Sequence, residues 1–298
     1  MLVFARACMF LAAGLAGFGL LMSGMGAATR HPGRQAAGRR ALFALFAVLC
    51  VVMAVVEAAF ARSDFSFRVV AEHSSTTTPL FYRLTAMWSS QEGSLLLWVW
   101  LLSGWSSLAV WSAARRAPLL APWATAVLLA VAAFFLGLML VFADPLRALA
   151  PAAAEGAGLE PLLRNRAMAI HPPMLYSGYT LAVVPLAFAL SALITRRVDG
   201  LWVRQARRFA LGGWVALTFG ILLGAHWSWA ELGWGGYWAW DPVENAALMP
   251  WLTGTAALHS LVIQEKRGTL RAWNLCLAMG TGLLAILGTF LVRSGVLE

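Results

Sequence analysis

The chain has 298 residues, 61% of them hydrophobic and only 12% charged, with a net charge of +9. About a quarter of an ordinary soluble domain is charged, so this composition excludes one and points to a membrane. The positive charge calls for no nucleic-acid partner, because its placement follows a membrane orientation.

Eight apolar stretches approach the length that spans a bilayer, about 20 residues. They lie at 7–28, 41–61, 94–112, 123–142, 174–194, 209–226, 246–264 and 273–292. Each is predicted to be a helix, since a chain in lipid must satisfy its backbone polar groups internally. The fold class is therefore an all-α integral membrane protein, a bundle of about eight transmembrane helices. The first stretch is too long for a secretory h-region and has no small-residue cleavage site before the basic loop, so it is expected to stay. The longest connections are 62–93 and 143–172, and the second reads as a flexible, partly helical excursion. Cys8, Cys50 and Cys276 fall inside predicted helices without C-x-x-C spacing, and buried, inert thiols are expected.

Basic residues alternate with the spans. The connections 29–40, 113–122, 195–208 and 265–272 carry 4, 2, 5 and 3 Lys or Arg, opposed only by Asp199 and Glu265. The alternate connections and the termini hold 8 basic residues and 10 of the 13 acids. Cytoplasmic loops collect Lys and Arg, so both termini and the loop around Gly236 are expected outside. In a bacterial inner membrane that is the periplasmic side. Anionic lipid at the cytoplasmic surface adds to the bias.

Residues 227–245, W-S-W-A-E-L-G-W-G-G-Y-W-A-W-D-P-V-E-N, place Trp227, Trp229, Trp234, Tyr237, Trp238 and Trp240 in the loop between the sixth and seventh spans. Gly235-Gly236 makes a turn there cheap. Asp241-Pro242 reads as a helix N-cap followed by the first helical residue. Tryptophan collects at membrane interfaces, but a belt scatters it over helix ends. Five within fourteen residues offer a flat surface to a large planar partner.

Five histidines bear on metal chemistry, since neutral imidazole ligates haem iron. His31, between basic residues, reads as solvated surface; His73 lies in the first outer loop and His226 at the outer end of the sixth span. His171 precedes Pro172-Pro173, where a helix is expected to start, leaving the imidazole at the membrane lip. His259 is 14 residues past Asn245, about 21 Å along a helix rising about 1.5 Å per residue, inside a core of about 30 Å. An ionisable group at that depth is a functional candidate; the alternative is an imidazole bonded to a neighbouring helix. Glu57 and the Gln91-Glu92-Gly93 loop add polar groups at the outer rim. Glu92 is expected to cap the third helix, or else to touch a ligand.

These motifs also carry a resemblance. W-G-G-Y-W-A-W-D resembles the tryptophan-rich WWD signature of haem-handling membrane proteins that mature c-type cytochromes. The continuation D-P-V-E-N-A-A-L-M-P-W-L-T-G-T-A-A-L-H-S is similar to the CcmF branch of that family, and Q-E-G-S-L-L-L-W (91–98) and H-P-P-M-L-Y-S-G-Y (171–179) agree. The resemblance implies N-terminal membrane helices and a first outer loop in 1–87, then a cytochrome c assembly (WWD) membrane domain in 88–298, truncated at its C-terminal end. It implies a subunit of a holocytochrome c synthase, a haem lyase, that presents haem b at the periplasmic surface for covalent attachment to apocytochrome c.

On that resemblance, Trp234, Tyr237, Trp238 and Trp240 would bind the porphyrin, and Asp241 would orient the loop or serve as a plain N-cap. Arg293 is a candidate for a haem propionate, and Arg83 a further one. His171 occupies the position of an outer-face ligand to the delivered haem. His259 occupies that of a ligand to a second, resident haem b inside the membrane. The implied partners are the C-x-x-C-H segment of apocytochrome c, a haem chaperone of the CcmE type, CcmH- and CcmI-type assembly proteins, and membrane lipid.

The chain also departs from the family. It stops at R-S-G-V-L-E (293–298), before the family's second outer-face His, and the helices holding the resident haem's second ligand are absent. An N-terminal half or a split subunit is expected, with Leu297-Glu298 readable as a cloning scar. Ser89-Ser90-Gln91 stands where the family usually has Gly-Gly-His, and His73 and His226 are unexpected; they are substitute ligands or plain loop histidines. Two rivals remain. A haem b or quinol redox subunit needs two deep histidines, and only His259 is deep. A haem translocator should show a polar or broken-helix path, whereas the interior is otherwise apolar.

Overall fold

The computed structural model describes residues 1–293; the calls on Ser294 to Glu298 lie outside them. Eight helices are long and apolar enough to cross a membrane: α1 (Leu2–Ala28), α2 (Pro32–Arg62), α5 (Gln91–Arg116), α6 (Ala121–Val141), α7 (Arg166–Thr195), α8 (Gly200–Glu231), α9 (Pro242–Arg267) and α10 (Arg271–Arg293). Two short helices, α3 (Arg68–His73) and α4 (Leu80–Thr85), fill the connection between α2 and α5. The chain is a multi-pass, all-α membrane protein.

Seven of the eight expected spans fall inside one long helix, the fourth running one residue past the end of α6 at Val141, and most helices outrun their apolar stretches. Hydropathy marks what lies in hydrocarbon, whereas polar caps mark where a helix ends. His31 Nδ1 accepts from the Arg34 N–H at 3.3 Å, so α2 begins well before its apolar run. Asn165 accepts from Ala167 N–H at 2.7 Å, and Asp199 from Leu201 N–H at 2.9 Å. Ser90, not Glu92, caps α5 by accepting from Gly93 N–H at 3.0 Å; Glu92 lies in the first turn.

Small residues set the helix spacing, as expected where van der Waals contact drives association in lipid. A Cβ on Gly38 of α2 would come 2.1 Å from Ser23 Oγ of α1, and one on Gly178 of α7 would come 2.5 Å from Leu217 Cγ of α8. The central helix, α7, packs against α5, α6, α8 and α10. It is buried almost without a break from Gly178 to Ala189. Between α5 and α6, Trp98 lies on Phe135 with ring centroids 4.0 Å apart. The cysteines depart from expectation: Cys8 and Cys50 are half-buried and Cys276 is exposed on α10. An apolar side chain facing lipid has no need of burial.

The connections sort onto two faces. On one, Arg6 pairs with Asp144 at 2.8 Å, and Arg68 N–H donates to the Arg147 carbonyl at 2.9 Å. There the excursion after α6 is pinned rather than loose. Leu149 N–H donates to Ser66 O at 2.8 Å, and Glu155 accepts from Thr76 N–H at 2.9 Å and from its hydroxyl. Gln91 of α5 donates to the Arg293 carbonyl, which brings the end of α10 to this face. On the opposite, basic face, Arg207 pairs with Glu265 at 2.5 Å and Gln264 donates to Val198 O at 3.2 Å. This division is the one that charge alone separates.

Candidate functional site

The Trp-rich connection is built from both ends. Trp227 and Trp229 belong to the last turn of α8, not to the loop, because that helix runs to Glu231. Trp227 Nε1 donates to Leu162 O at 2.9 Å, and Asn165 Nδ2 donates to Glu231 at 2.6 Å, fastening the helix end to the excursion. Tyr237 folds back onto Trp229, the rings 5.5 Å apart and 11° from parallel. Gly233 and Gly235 supply the left-handed backbone at φ +72° and +77°. Gly236 leaves room for the Trp234 ring, which a Cβ there would strike at 1.9 Å.

The second half is braced by α9. Asp241 is the N-cap, accepting from Glu244 N–H at 2.7 Å. Glu244 reaches back to the N–H groups of Ala239 (2.8 Å) and Trp240 (2.9 Å), as in a capping box. Asn245 Nδ2 donates to Trp240 O at 2.9 Å. These three bonds hold Trp240 at φ +61°, a region a bulky side chain rarely adopts. Trp238 and Trp240 meet edge to face at 6.1 Å. Trp234, Tyr237 and Trp240 are exposed, while Trp238 is half-buried, with its indole N–H enclosed and without a hydrogen-bond partner among the described residues.

His171 does not stand before a helix. α7 starts five residues earlier, at Arg166, and Pro172 and Pro173 lie within it. The imidazole is tucked against α8, its Nδ1 2.7 Å from the Gly220 carbonyl. A carbonyl oxygen only accepts, so Nδ1 carries the proton and Nε2 keeps its lone pair, the arrangement that orients metal-binding histidines. Gly224, one turn beyond Gly220, makes room for the ring: a Cβ there would lie 2.8 Å from Cε1.

His259 is oriented in the same sense but elsewhere. Its Nδ1 lies 2.8 Å from the Thr255 carbonyl one turn back in α9, which frees Nε2, and its side chain is exposed on the outside of the bundle. The hydroxyl of Thr255 is taken by Trp214 Nε1 of α8 at 2.8 Å. His171 and His259 are thus separate sites. His226 is exposed beside Trp229, with centroids 6.0 Å apart. His73 bonds its own helix, Nδ1 3.1 Å from Val69 O.

Arg293 is less free than its charge suggests. Its Nε donates to the Tyr176 hydroxyl at 2.8 Å and its guanidinium lies 5.7 Å from that ring centroid. It stands beside the helix that carries His171. Arg83 donates to Ala61 O at 3.1 Å and Ser63 Oγ at 2.9 Å, closing the end of α2. That engagement ties one of its nitrogens to the end of α2. Glu57 is half-buried in α2, one carboxylate oxygen without a partner. Sequence reasoning missed Gly220, Gly224, Tyr176 and Asn245. The spacing Gly220-x-x-x-Gly224 was the available signal for the first two.

Known proteins share this architecture. Residues 88–297 match the cytochrome C assembly protein family. The chain is 43% identical over 265 residues to the cytochrome c-type biogenesis protein CcmF of Haemophilus influenzae, covering 88% of this chain and 41% of that protein. It is 45% identical over 256 residues to the probable cytochrome c-type biogenesis protein NrfE of Escherichia coli, covering 86% and 46%. A solved structure of cytochrome c haem lyase CcmF superposes with a TM-score of 0.87 at 34% identity, covering 99% of this chain and 47% of that one. The chain therefore spans less than half the length of these relatives. A fold shared from end to end, together with the family match over 88–297, places the chain in the cytochrome c assembly protein family, as a member of the CcmF type.

Proposed function

We propose that this protein presents haem at the outer, periplasmic surface of a bacterial inner membrane for covalent attachment to apocytochrome c. The observation that carries this reading is one shared face. It holds an imidazole bonded through Nδ1, which leaves Nε2 for a metal, and an exposed aromatic surface. Bound haem supplies two vinyl groups, across which the thiols of a C-x-x-C-H segment add, sulfur to one carbon and hydrogen to the other. The chain's part is orientation. Trp234, Tyr237, Trp238 and Trp240 would cover an apolar face of the haem, and His171 would hold its iron. Asp241 and Glu244 serve the loop's backbone and take no proton from the client. Arg293, shared with Tyr176, supplies positive charge nearby.

In this reading residues 88–298 carry the haem-handling part and 1–87 the scaffold beside it. The client is apocytochrome c, the donor a CcmE-type chaperone, with CcmH- and CcmI-type proteins as assembly partners. His259 offers Nε2 on the bundle exterior to a resident haem b whose second ligand comes from elsewhere. A redox subunit or a translocator would have no use for an oriented aromatic loop outside the membrane.

Replacing Trp238 and Trp240 with alanine tests this. Losing about 100 Å² of aromatic contact costs about 2.5 kcal/mol at about 25 cal/mol per Å², roughly sixty-fold in affinity. In a host lacking its own CcmF-type protein, with the other assembly components supplied, cytochrome c yield should collapse at unchanged protein abundance. Normal yield at equal abundance would leave the tryptophans as an interfacial belt and defeat the proposal.

A further inference from the structure

Two cavities meet on the basic face, opposite the site above. One, about 530 Å³, is lined by Arg39 of α2, Trp111, Ser112, Arg115 and Arg116 of α5, and Arg208 of α8. The other, about 570 Å³, shares Trp111, Ser112 and Arg208 and continues between α5, α7 and α8 past Trp105, Phe209 and Val215. The first is ringed by charge and the second is apolar. From Arg208 to Ala216, the limit of the groove on α8, is eight residues, about 12 Å at about 1.5 Å per residue. One leaflet of a hydrocarbon core about 30 Å thick is about 15 Å deep.

The arginines are available for a ligand. Among the described residues none of the four lies within 4.0 Å of a carboxylate; the ion pair of this face belongs to Arg207. Arg208 is held in place by donating to the Ser112 hydroxyl and lies 5.1 Å over the Phe209 ring. Trp111 is 68% exposed at the join of the two cavities. The general bias of Lys and Arg toward cytoplasmic loops accounts for the charge. It does not account for three helices contributing four guanidinium groups to the mouth of one apolar groove.

We propose that this is a binding site for an anionic glycerophospholipid of the cytoplasmic leaflet. The phosphate sits among Arg39, Arg115, Arg116 and Arg208, and one acyl chain lies in the groove between α5 and α8. Guanidinium forks match phosphate oxygens, and basic pockets between membrane helices take such head groups. Only an amphiphile with a net negative head suits both halves: a free phosphate leaves the groove open, and a zwitterionic lipid brings an ammonium group in among the arginines.

Native mass spectrometry of the full chain in detergent, with phosphatidylglycerol, phosphatidylethanolamine and glycerol 3-phosphate added in turn, tests the site. Phosphatidylglycerol should be retained at least ten-fold more than phosphatidylethanolamine, and glycerol 3-phosphate should not displace it. Each arginine removed should weaken retention about five-fold, the equivalent of one charge near an anionic surface, so R115Q/R116Q should lose roughly twenty-five-fold. Val215→Trp, which narrows the groove and leaves every arginine in place, should release the same lipid. Equal retention of both lipids by the unaltered chain would overturn the proposal without recourse to any variant. So would displacement by glycerol 3-phosphate, or haem held at this face in a form that R115Q/R116Q abolishes.

Discussion

A methyl group on Gly224 would press on the contact that aims His171. The alanine Cβ would stand 2.8 Å from Cε1 and 3.0 Å from Nδ1 of the imidazole, whereas carbon atoms rest about 3.5–4.0 Å apart. Either the ring turns or α8 retreats, and both open the 2.7 Å bond from Nδ1 to the Gly220 carbonyl. Overpacking of this kind costs about 1–3 kcal/mol, and the lost hydrogen bond about 1 kcal/mol. If half of that falls on ligation, affinity drops about five- to thirty-fold. Purified variants titrated with haem, followed by Soret absorbance, give the number. Gly224→Ala should weaken binding by that factor, and combining it with His171→Ala should cost little more than His171→Ala alone. Gly137→Ala is the control, since its methyl meets nothing within 4 Å and alanine favours a helix by about 1 kcal/mol. Unaltered affinity in Gly224→Ala, or losses that add in the double variant, would refute the role of the Gly220–Gly224 notch.

Three further outcomes are expected. Topology reporters fused at residues 203 and 236 should report opposite compartments, and the same compartment from both would overturn the eight-span layout. Haem b at the resident site of the isolated chain should bind weakly through one protein ligand, His259; in a His171→Ala background, a low-spin spectrum that survives His259→Ala would exclude that residue. Hydrogen bonds from the Thr76 hydroxyl and N–H and the Gly156 N–H hold the Glu155 carboxyl below its ordinary value. A depressed folded value means the latch contributes stability above the ordinary carboxylate range and loses it as pH falls through the lowered value. Protease cutting within 143–165 should therefore rise only in that acid window in the native chain; Glu155→Gln should cut equally at all pH, and a matching acid-dependent rise in that variant would sink the idea.

Span number and the division of the connections into two faces were legible because hydrocarbon thickness and charge bias act on single segments. The N-cap at Asp241 was legible for the same reason, being a local pattern of Asp, Pro and Glu. The helix start at His171 was misplaced because Pro172-Pro173 looks like one, whereas the Asn165 cap had already begun the helix. Helix contacts made over long separations leave little trace in local spacing; the Gly220 carbonyl that orients His171 is 49 residues away. That His259 lies inside the seventh long helix followed from its spacing from Asn245 alone. Which way it faces depends on what α9 packs against, and α9 packs on α8 and α10 with His259 on the far side.

Trp240 is held in a left-handed backbone by a carboxylate on its N–H and an amide on its carbonyl. The two acids of the motif, Asp241 and Glu244, are therefore fixtures rather than reagents. Such a backbone costs a non-glycine residue about 1–2 kcal/mol, and α9 supplies the restraint from its first turn. Activity screens will score substitutions at Glu244 or Asn245 as severely as those at the aromatic rings, though neither residue need touch cargo. Substituting glycine at residue 240 would separate the two effects, since it keeps the backbone while deleting the indole.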